Sequence, residues 1–176
     1  MVSLVETWGS IDQIVTIAKL SHRGIVKATE QNLLFLQKIL GKGHTSVLEF
    51  AGATFLVTTP IYVARQWMRH RMFSYLEISR RYVEVGEDYI PEQFNDIYKQ
   101  QLQQYRFLIQ KGYRKEQARG ILGTGFLTDF YVSGNLRSWK NFLDLRLAKD
   151  AQEEIREEAE QIRVVLNEKF PIFGKE

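Results

Sequence analysis

RHRMFSYLEISRRY, residues 69–82, is the stretch of the chain that carries the most information. It holds four arginines and one histidine, and Glu77 is its only carboxylate. The planar fork of an arginine offers donors that match two phosphate oxygens at once, so we expect an anion-binding site here. A salt-bridged helix is the ordinary interpretation of an Arg-rich segment. The apolar residues Met72, Phe73 and Leu76 follow no helical stripe, which disfavours that alternative.

The composition is that of an ordinary soluble protein. At 176 residues, 44% hydrophobic and 26% charged, the chain is long enough for one domain with a real core, which we expect to span residues 1–176. No run of eighteen apolar residues exists, so no membrane span is expected. The opening MVSLVETWGSIDQIV carries acids where a signal peptide carries basic residues, which favours a cytoplasmic protein. The net charge of +3 fits small anionic ligands as well as nucleic acid.

The chain contains no cysteine, which removes several kinds of chemistry. A disulfide framework, a zinc–thiolate site and a thiol nucleophile are all excluded. The three histidines, at positions 22, 44 and 70, have no second metal ligand at helical spacing, so we predict no metal site. Any reaction that this chain catalyses must therefore proceed without attack by one of its own thiolates.

Hydrophobic periodicity predicts an α+β fold, with several helices around a small, mostly antiparallel sheet in one domain. Helices are predicted over about 11–19, 28–41, 60–71, 92–111, 114–121, 136–146 and 148–169, and extended segments over 50–59, 82–85 and 124–133. Inward-facing residues are expected to include Leu33, Leu34, Leu36 and Leu40 in the second helix and Phe94, Ile97, Tyr105 and Leu108 in the fourth.

The spacing Arg69-His70-Arg71, seven residues, Ser79 resembles the signature of the flavin-dependent thymidylate synthases. The local match extends to Ser74, Glu77, Arg81 and Tyr82, and weaker similarity covers nearly the whole chain. These enzymes methylate dUMP with 5,10-methylenetetrahydrofolate as carbon donor and reduced flavin as hydride donor. The resemblance implies FAD as cofactor, NADPH as its reductant, and a homotetramer whose active sites are shared between subunits.

The resemblance also implies roles for individual residues. The nucleotide is expected to contact Gln66, Arg69, Glu77, Ser79, Arg81, Arg119 and Arg146. The flavin is expected to contact Ser21, His44, Ser46, Arg69, His70, Arg71, Glu77, Asn135, Arg137 and Asn141. The residues expected to act in catalysis are His44, Arg69, Ser79 and Arg146.

Some of these residue types have ordinary structural explanations as well. On residue type alone, Ser79 is more often a cap or turn hydroxyl, and no Ser-His-Asp arrangement marks it as a nucleophile. His70 can equally be a hydrogen-bonded core residue. Glu116 and Arg119, three residues apart, can form a surface ion pair worth at most about 1 kcal/mol. Gln66 and Arg69 have the same spacing and are expected to share a helix face.

Three positions depart from the family pattern and leave substrate choice and flavin affinity open. Leu76 stands where the family usually has asparagine. Arg80 replaces a small residue, most often glycine, and Asp150 stands where histidine is common. The alternatives are a relative that modifies another pyrimidine nucleotide or adds a hydroxymethyl group, and a paralogue that only binds the nucleotide. A nucleic-acid-binding module, with Phe73 and Tyr75 stacking on bases, is less well supported because no wide basic stripe accompanies the arginines.

Overall fold

The structure, a computed structural model, describes residues 1–20 and 29–174. In that part of the chain the strands are β1 (Val2–Trp8), β2 (Gly52–Pro60), β3 (Ser74–Glu77) and β4 (Leu127–Asn135). The α-helices are α1 (Ile11–Ala18), α2 (Thr29–Leu40), α3 (Ile61–Trp67), α4 (Asn95–Gln110), α5 (Lys115–Ala118), α6 (Leu136–Arg146) and α7 (Glu153–Lys169). No helix among these residues is long and apolar enough to cross a membrane.

The described strands form one sheet in the order β1-β2-β4-β3, and every neighbouring pair is antiparallel. The central pair, β2 and β4, runs from Gly52 opposite Asn135 to Pro60 opposite Leu127. Alternate residues of β2, including Phe55 and Val57, are fully buried, as expected where one sheet face packs on a core. The predicted α+β fold with a mostly antiparallel sheet is therefore confirmed.

An aromatic cluster fills the core beneath the sheet. Trp67 at the end of α3 stacks on Phe142 of α6 at 4.2 Å between ring centroids, and Phe73 lies 4.4 Å from Trp139. Burying one such ring contributes roughly 1.5–3 kcal/mol. Because Trp67 and Phe73 flank residues 68–72, this cluster anchors both ends of the turn that opens the Arg-rich segment.

The ends of the helices follow local sequence signals. The side chain of Asn135 caps α6 by accepting a hydrogen bond from Ser138 N at 2.9 Å, a position at which asparagine is strongly preferred. Pro60 lies directly before the first residue of α3, where its missing N–H leaves no helical bond unmade. Helix α7 begins at Glu153 rather than at Ala148, after a turn.

Several sequence predictions are wrong in detail. The strand expected over 82–85 is absent, since Tyr82 lies in a turn with its N–H on Ser79 O, and the strand lies earlier, at Ser74–Glu77. Strand β1 was not predicted at all. The predicted inward face of α4 fails at its start, because Phe94 and Ile97 are 62% and 56% exposed. The face predicted for α2 also fails at one position, because Leu34 is exposed.

Candidate functional site

The first part of the Arg-rich segment is a turn that separates its charged residues. Helix α3 ends at Trp67, and the N–H groups of Arg69 and His70 donate to Gln66 O at 3.3 Å and Trp67 O at 2.9 Å. This tight winding leaves Arg69 and Arg71 exposed while His70 is only 7% exposed. Arg69 thus lies beyond the end of the helix, so the expected shared helix face with Gln66 is wrong.

His70 and Arg146, 76 residues apart in sequence, form a direct pair. Arg146 Nε donates to His70 Nε2 at 2.8 Å, and its Nη2 donates to Gln66 O at 3.1 Å. Burial, and next the charge of Arg146, lower the pKa of His70 to about 4, so the ring is neutral at pH 7 and accepts at Nε2. Burial also lowers the pKa of the Arg146 guanidinium. The neutral His70 ring therefore holds the Arg146 guanidinium in one orientation through this hydrogen bond.

Hydrogen bonds from the side chains of Tyr75 and Trp67 hold the same turn in place. The Tyr75 hydroxyl donates to Trp67 O at 2.5 Å and to His70 O at 3.2 Å, and burial raises its pKa, which keeps the donor protonated. Trp67 Nε1 donates to the buried Glu158 carboxylate at 2.7 Å. Sequence reasoning missed Tyr75 and Glu158 as supports, because their partners lie on other elements of the fold.

A cavity of about 570 Å³ lies between the end of β3, the face of α3 that carries Ile61 and Arg65, and the segment after α5. It brings together the predicted nucleotide residues Glu77, Ser79 and Arg119, although Arg119 is far from the other two in sequence. Two further cations, Arg65 and Arg80, line the same cavity and were not predicted as ligands. Its apolar wall is formed by Ile61, Ile78, Val85, Leu122, Phe126 and Leu127.

The charge of this cavity is positive. Among the residues that the structure describes, Glu77 forms no ion pair with an arginine. It accepts a hydrogen bond from Thr128 Oγ1 at 2.7 Å, which fixes its carboxylate. Arg81 turns away from the cavity to Glu116 at 3.2 Å, and Glu116 also pairs with Arg114 at 3.0 Å. The ion pair expected between Glu116 and Arg119 is thus replaced by these two. Three guanidinium groups therefore face one carboxylate, an arrangement suited to a phosphate.

A second group of predicted residues collects at the start of α6. Arg137 Nη1 donates to Glu49 Oε1 at 2.5 Å, and Leu136 N donates to Ala51 O at 2.8 Å, which joins α6 to the 3-10 turn Ser46–Phe50. The predicted flavin residues His44, Ser46 and Asn141 are exposed around this junction. Asn135 is the α6 cap, so its amide oxygen is engaged within the protein. Ser21 lies outside the described residues.

The two groups lie at opposite ends of β4. Leu127 lines the cavity, whereas Asn135 begins α6, and the eight residue steps between them correspond to about 26 Å in an extended strand. The signature turn lies near the Asn135 end, since Ser138 Oγ donates to Met72 O at 3.4 Å. One chain therefore does not bring His44 and Ser79 into a common pocket.

A larger cavity, of about 840 Å³, lies between the end of α2, α6, α7 and the segment that follows α7. It contains none of the predicted site residues. Its cations are already paired, Lys140 with Asp144 at 2.7 Å and Arg163 with Glu160 at 2.7 Å. We therefore take the smaller, positively charged cavity as the candidate nucleotide site.

Comparison with known proteins identifies the family of the chain. The family model described as thymidylate synthase complementing protein matches residues 3–172. A flavin-dependent thymidylate synthase from Thermotoga neapolitana is 35% identical over 97% of this chain and 87% of its own length. A flavin-dependent thymidylate synthase from Thermus thermophilus is 34% identical over 97% of this chain and 73% of its own length.

A solved structure shares the fold. The crystal structure of a UMP/dUMP methylase, PolB from Streptomyces cacaoi bound with 5-Br dUMP, superimposes with a TM-score of 0.86 over 98% of this chain and 92% of that one, at 24% identity. The fold likeness, the family model and the curated relatives all agree with the resemblance carried by residues 69–82. The chain belongs to the flavin-dependent thymidylate synthase family.

Proposed function

We propose that the protein converts dUMP to dTMP, with 5,10-methylenetetrahydrofolate as carbon donor, FAD as the flavin and NADPH as its reductant. The observation that carries this proposal is the cavity in which Glu77, Ser79 and Arg119 meet two further arginines. A nucleotide needs a positively charged end for its phosphate and an oriented acceptor for its base or sugar. The cavity offers both within one chain.

The phosphate end of dUMP is assigned to Ser79 and Arg119, with Arg81 at the rim. Ser79 Oγ already accepts from Arg81 N at 3.4 Å, a long contact that is readily exchanged for a ligand oxygen. Arg81 is exposed, and its ion pair with Glu116 is a surface pair worth at most about 1 kcal/mol. Turning Arg81 to a phosphate therefore costs little.

Arg146 and Arg69 lie near the Asn135 end of β4, away from the cavity of their own chain. They are therefore assigned to the pyrimidine ring of a nucleotide whose phosphate is bound by another copy of the chain. The neutral His70 ring and Gln66 O fix two nitrogens of Arg146, so its remaining edge is held in one orientation before a ligand binds. A fixed guanidinium near a uracil carbonyl stabilises the negative charge that develops when C5 becomes nucleophilic. No cysteine exists to attack C6, so this polarisation has to come from residues of this kind.

A flavin follows from membership of the family, and the exposed junction at the start of α6 fits the phosphates of FAD. The N–H groups of Leu136 and Ser138 in the first turn of α6 are already bonded within the protein. The phosphates are therefore assigned to Arg137, whose partly exposed ion pair with Glu49 a phosphate can replace. When bound, FAD would supply the hydride that reduces the transferred carbon. Asn141, one turn further along α6, and Ser46 extend the same exposed surface.

We further propose that the active site is completed by other copies of the chain in a homotetramer. His44 and the phosphate-binding Ser79 lie near opposite ends of β4, and the two ends of that strand, Leu127 and Asn135, are about 26 Å apart when extended. A flavin ring near His44 can meet a nucleotide held by Ser79 only if the two residues come from different subunits. Sedimentation velocity measures the number of subunits in the assembly. An activity assay of mixed His44→Ala and Ser79→Ala subunits tests the shared site, because mixing should restore part of the activity that each variant has lost.

The visible absorption spectrum of the purified protein, with FAD added and then titrated with dUMP, tests the proposed function. Flavin bands that shift on addition of dUMP are expected, followed by dTMP formation that requires both NADPH and the folate. No retained flavin and no spectral shift would overturn the proposal. Because the structure of similar fold is that of a UMP/dUMP methylase, UMP is titrated in parallel, and an equal shift would widen the substrate to both nucleotides.

A further inference from the structure

We propose that Arg80 is a ligand-binding residue whose Nη1 group donates to a phosphate oxygen of the nucleotide in the 570 Å³ cavity. This inference rests on the proposed function, because the phosphate is that of the nucleotide assigned above. It gives a role to a position where the family resemblance implies a small residue. Arg80 is buried, one of its donors has no acceptor among the described residues, and its guanidinium is held in place.

Arg80 is buried without a full set of partners. It is 9% exposed, and its Nη2 donates to Leu127 O at 3.3 Å. Its Nη1 is buried as well, yet makes no hydrogen bond to any residue in the described part of the chain. Buried charged donors are normally paired, because burying one without an acceptor costs its full desolvation. The described residues therefore offer no acceptor for this nitrogen.

The plane of the guanidinium is fixed without being neutralised. Its central carbon lies 3.7 Å from the centroid of the Tyr89 ring, and Tyr89 is itself held by its hydroxyl, which donates to Asp129 Oδ2 at 2.7 Å. Asp129 Oδ1 in turn accepts from Thr58 at 2.6 Å. Within the described residues no carboxylate forms an ion pair with Arg80. A fixed cation that retains its full charge is suited to bind an anion.

The surroundings of Arg80 identify the anion. Arg80 lines the same cavity as Ser79, Arg65 and Arg119, so an oxygen that reaches Nη1 lies among donors from several elements. A phosphate has enough oxygens to satisfy these donors together, and its negative charge offsets theirs. A neutral ligand such as a nucleoside offers no group that balances three guanidinium charges. The 5′-phosphate is thus the part of the nucleotide that Arg80 contacts.

The competing explanation is that Arg80 only supports the fold. Its contacts with Tyr89 and Leu127 O join the segment after β3 to β4, and removing them could loosen the whole cavity. A purely structural role predicts equal losses for ligands with and without phosphate, together with a lower free energy of unfolding. A phosphate contact predicts a loss confined to ligands that carry the phosphate.

Calorimetric titration of the FAD-loaded protein with dUMP and with deoxyuridine separates these explanations. The variants are Arg80→Gln, Arg80→Lys, and Arg106→Gln as control, because Arg106 is an exposed cation that pairs with Glu87 near the same segment. We expect Arg80→Gln to weaken dUMP binding at least ten-fold and deoxyuridine binding less than two-fold. Arg80→Lys should lie between, since it keeps the charge and loses the planar fork. The control should match the wild type.

An unchanged dUMP affinity, or equal losses for both ligands, would overturn the assignment. If Arg80→Gln does not fold, Arg80→Lys decides by the same ratio of the two losses. If the wild type binds neither ligand, the proposed function fails, and inorganic phosphate becomes the probe. A phosphate-dependent rise in melting temperature that Arg80→Gln abolishes would then still support Arg80 as an anion ligand, and no rise in the wild type would refute it.

Discussion

Acidification should destabilise the wild-type protein more than a His70→Gln variant. The buried His70 ring accepts a hydrogen bond from Arg146, and its pKa is lowered from 6.5 to about 4. The folded state therefore disfavours the protonated ring, while the unfolded chain takes up the proton near pH 6.5. The stability contributed by the neutral ring is present above pH 6.5 and is lost as the pH falls towards 4. Glutamine does not titrate, and its side-chain oxygen reaches a similar position.

The size of the effect follows from the two pKa values. One pKa unit corresponds to about 1.36 kcal/mol, so lowering the pKa of His70 from 6.5 to about 4 amounts to about 3.4 kcal/mol well below pH 4. At pH 4 half of the folded molecules are protonated, and the loss between pH 7 and pH 4 is about 3 kcal/mol. This is a large share of the 5–15 kcal/mol that is typical of folded proteins, roughly a fifth or more.

Urea unfolding at pH 7, 6, 5 and 4 measures this loss for both proteins at one fixed concentration, because self-association shifts apparent stability. Other groups titrate equally in both, so the difference between their unfolding free energies isolates His70. As the pH falls from 7 to 4, the wild type should lose about 3 kcal/mol more unfolding free energy than the variant. A difference that stays constant with pH would refute the claim that Arg146 and burial hold His70 neutral.

Three further substitutions test the site. Arg81→Ala should weaken dUMP binding about 10- to 100-fold while flavin is retained, since a charged hydrogen bond contributes about 1.5–3 kcal/mol. Equal loss of both ligands would mean that Arg81 was assigned to the wrong binding site. Arg137→Met should change the free energy of unfolding by less than about 1 kcal/mol, because the ion pair it removes is at the surface. The variant should retain less FAD after gel filtration, measured by absorbance, and unchanged retention would contradict the assignment of Arg137 to the FAD phosphates. His44→Ala should slow flavin reoxidation by dUMP and folate in stopped-flow absorbance, and an unchanged rate would remove it from the site.

Sequence reasoning predicted what depends on local pattern. The last long helix, expected over 148–169, was predicted from apolar residues at helical spacing, and Ile155, Ile162 and Leu166 on that face are buried. Strand β2 was predicted because its β-branched and aromatic residues stand out between a glycine and a proline. The grouping of Glu77, Ser79 and Arg119 came from the resemblance to the family, because no spacing rule brings residues so far apart together.

The elements that were missed depend on contacts that are distant in sequence. Strand β1 pairs with β2 from Val2 opposite Val57, and a register shift between Leu4 and Glu6 breaks the period of two. Strand β3 has only four residues and exists because β4 offers it a partner. Arg80 was predicted only as one of four arginines in an anion-binding segment, and its burial was not expected, since arginine is almost never buried unless paired. Its burial depends on Tyr89 and Leu127, which a local pattern does not bring to it.

Buried residues, more than the exposed signature residues, set the geometry of the Arg-rich segment. Arg69 and Arg71 are long and exposed, so by themselves they would sample many orientations. The backbone that carries them is held from below, because the Tyr75 hydroxyl binds Trp67 O and His70 O while Arg146 binds Gln66 O. A backbone fixed in this way limits each arginine to motion of its own side chain, which lowers the entropy lost when a ligand binds. The chemistry attributed to the signature thus depends equally on residues outside the motif.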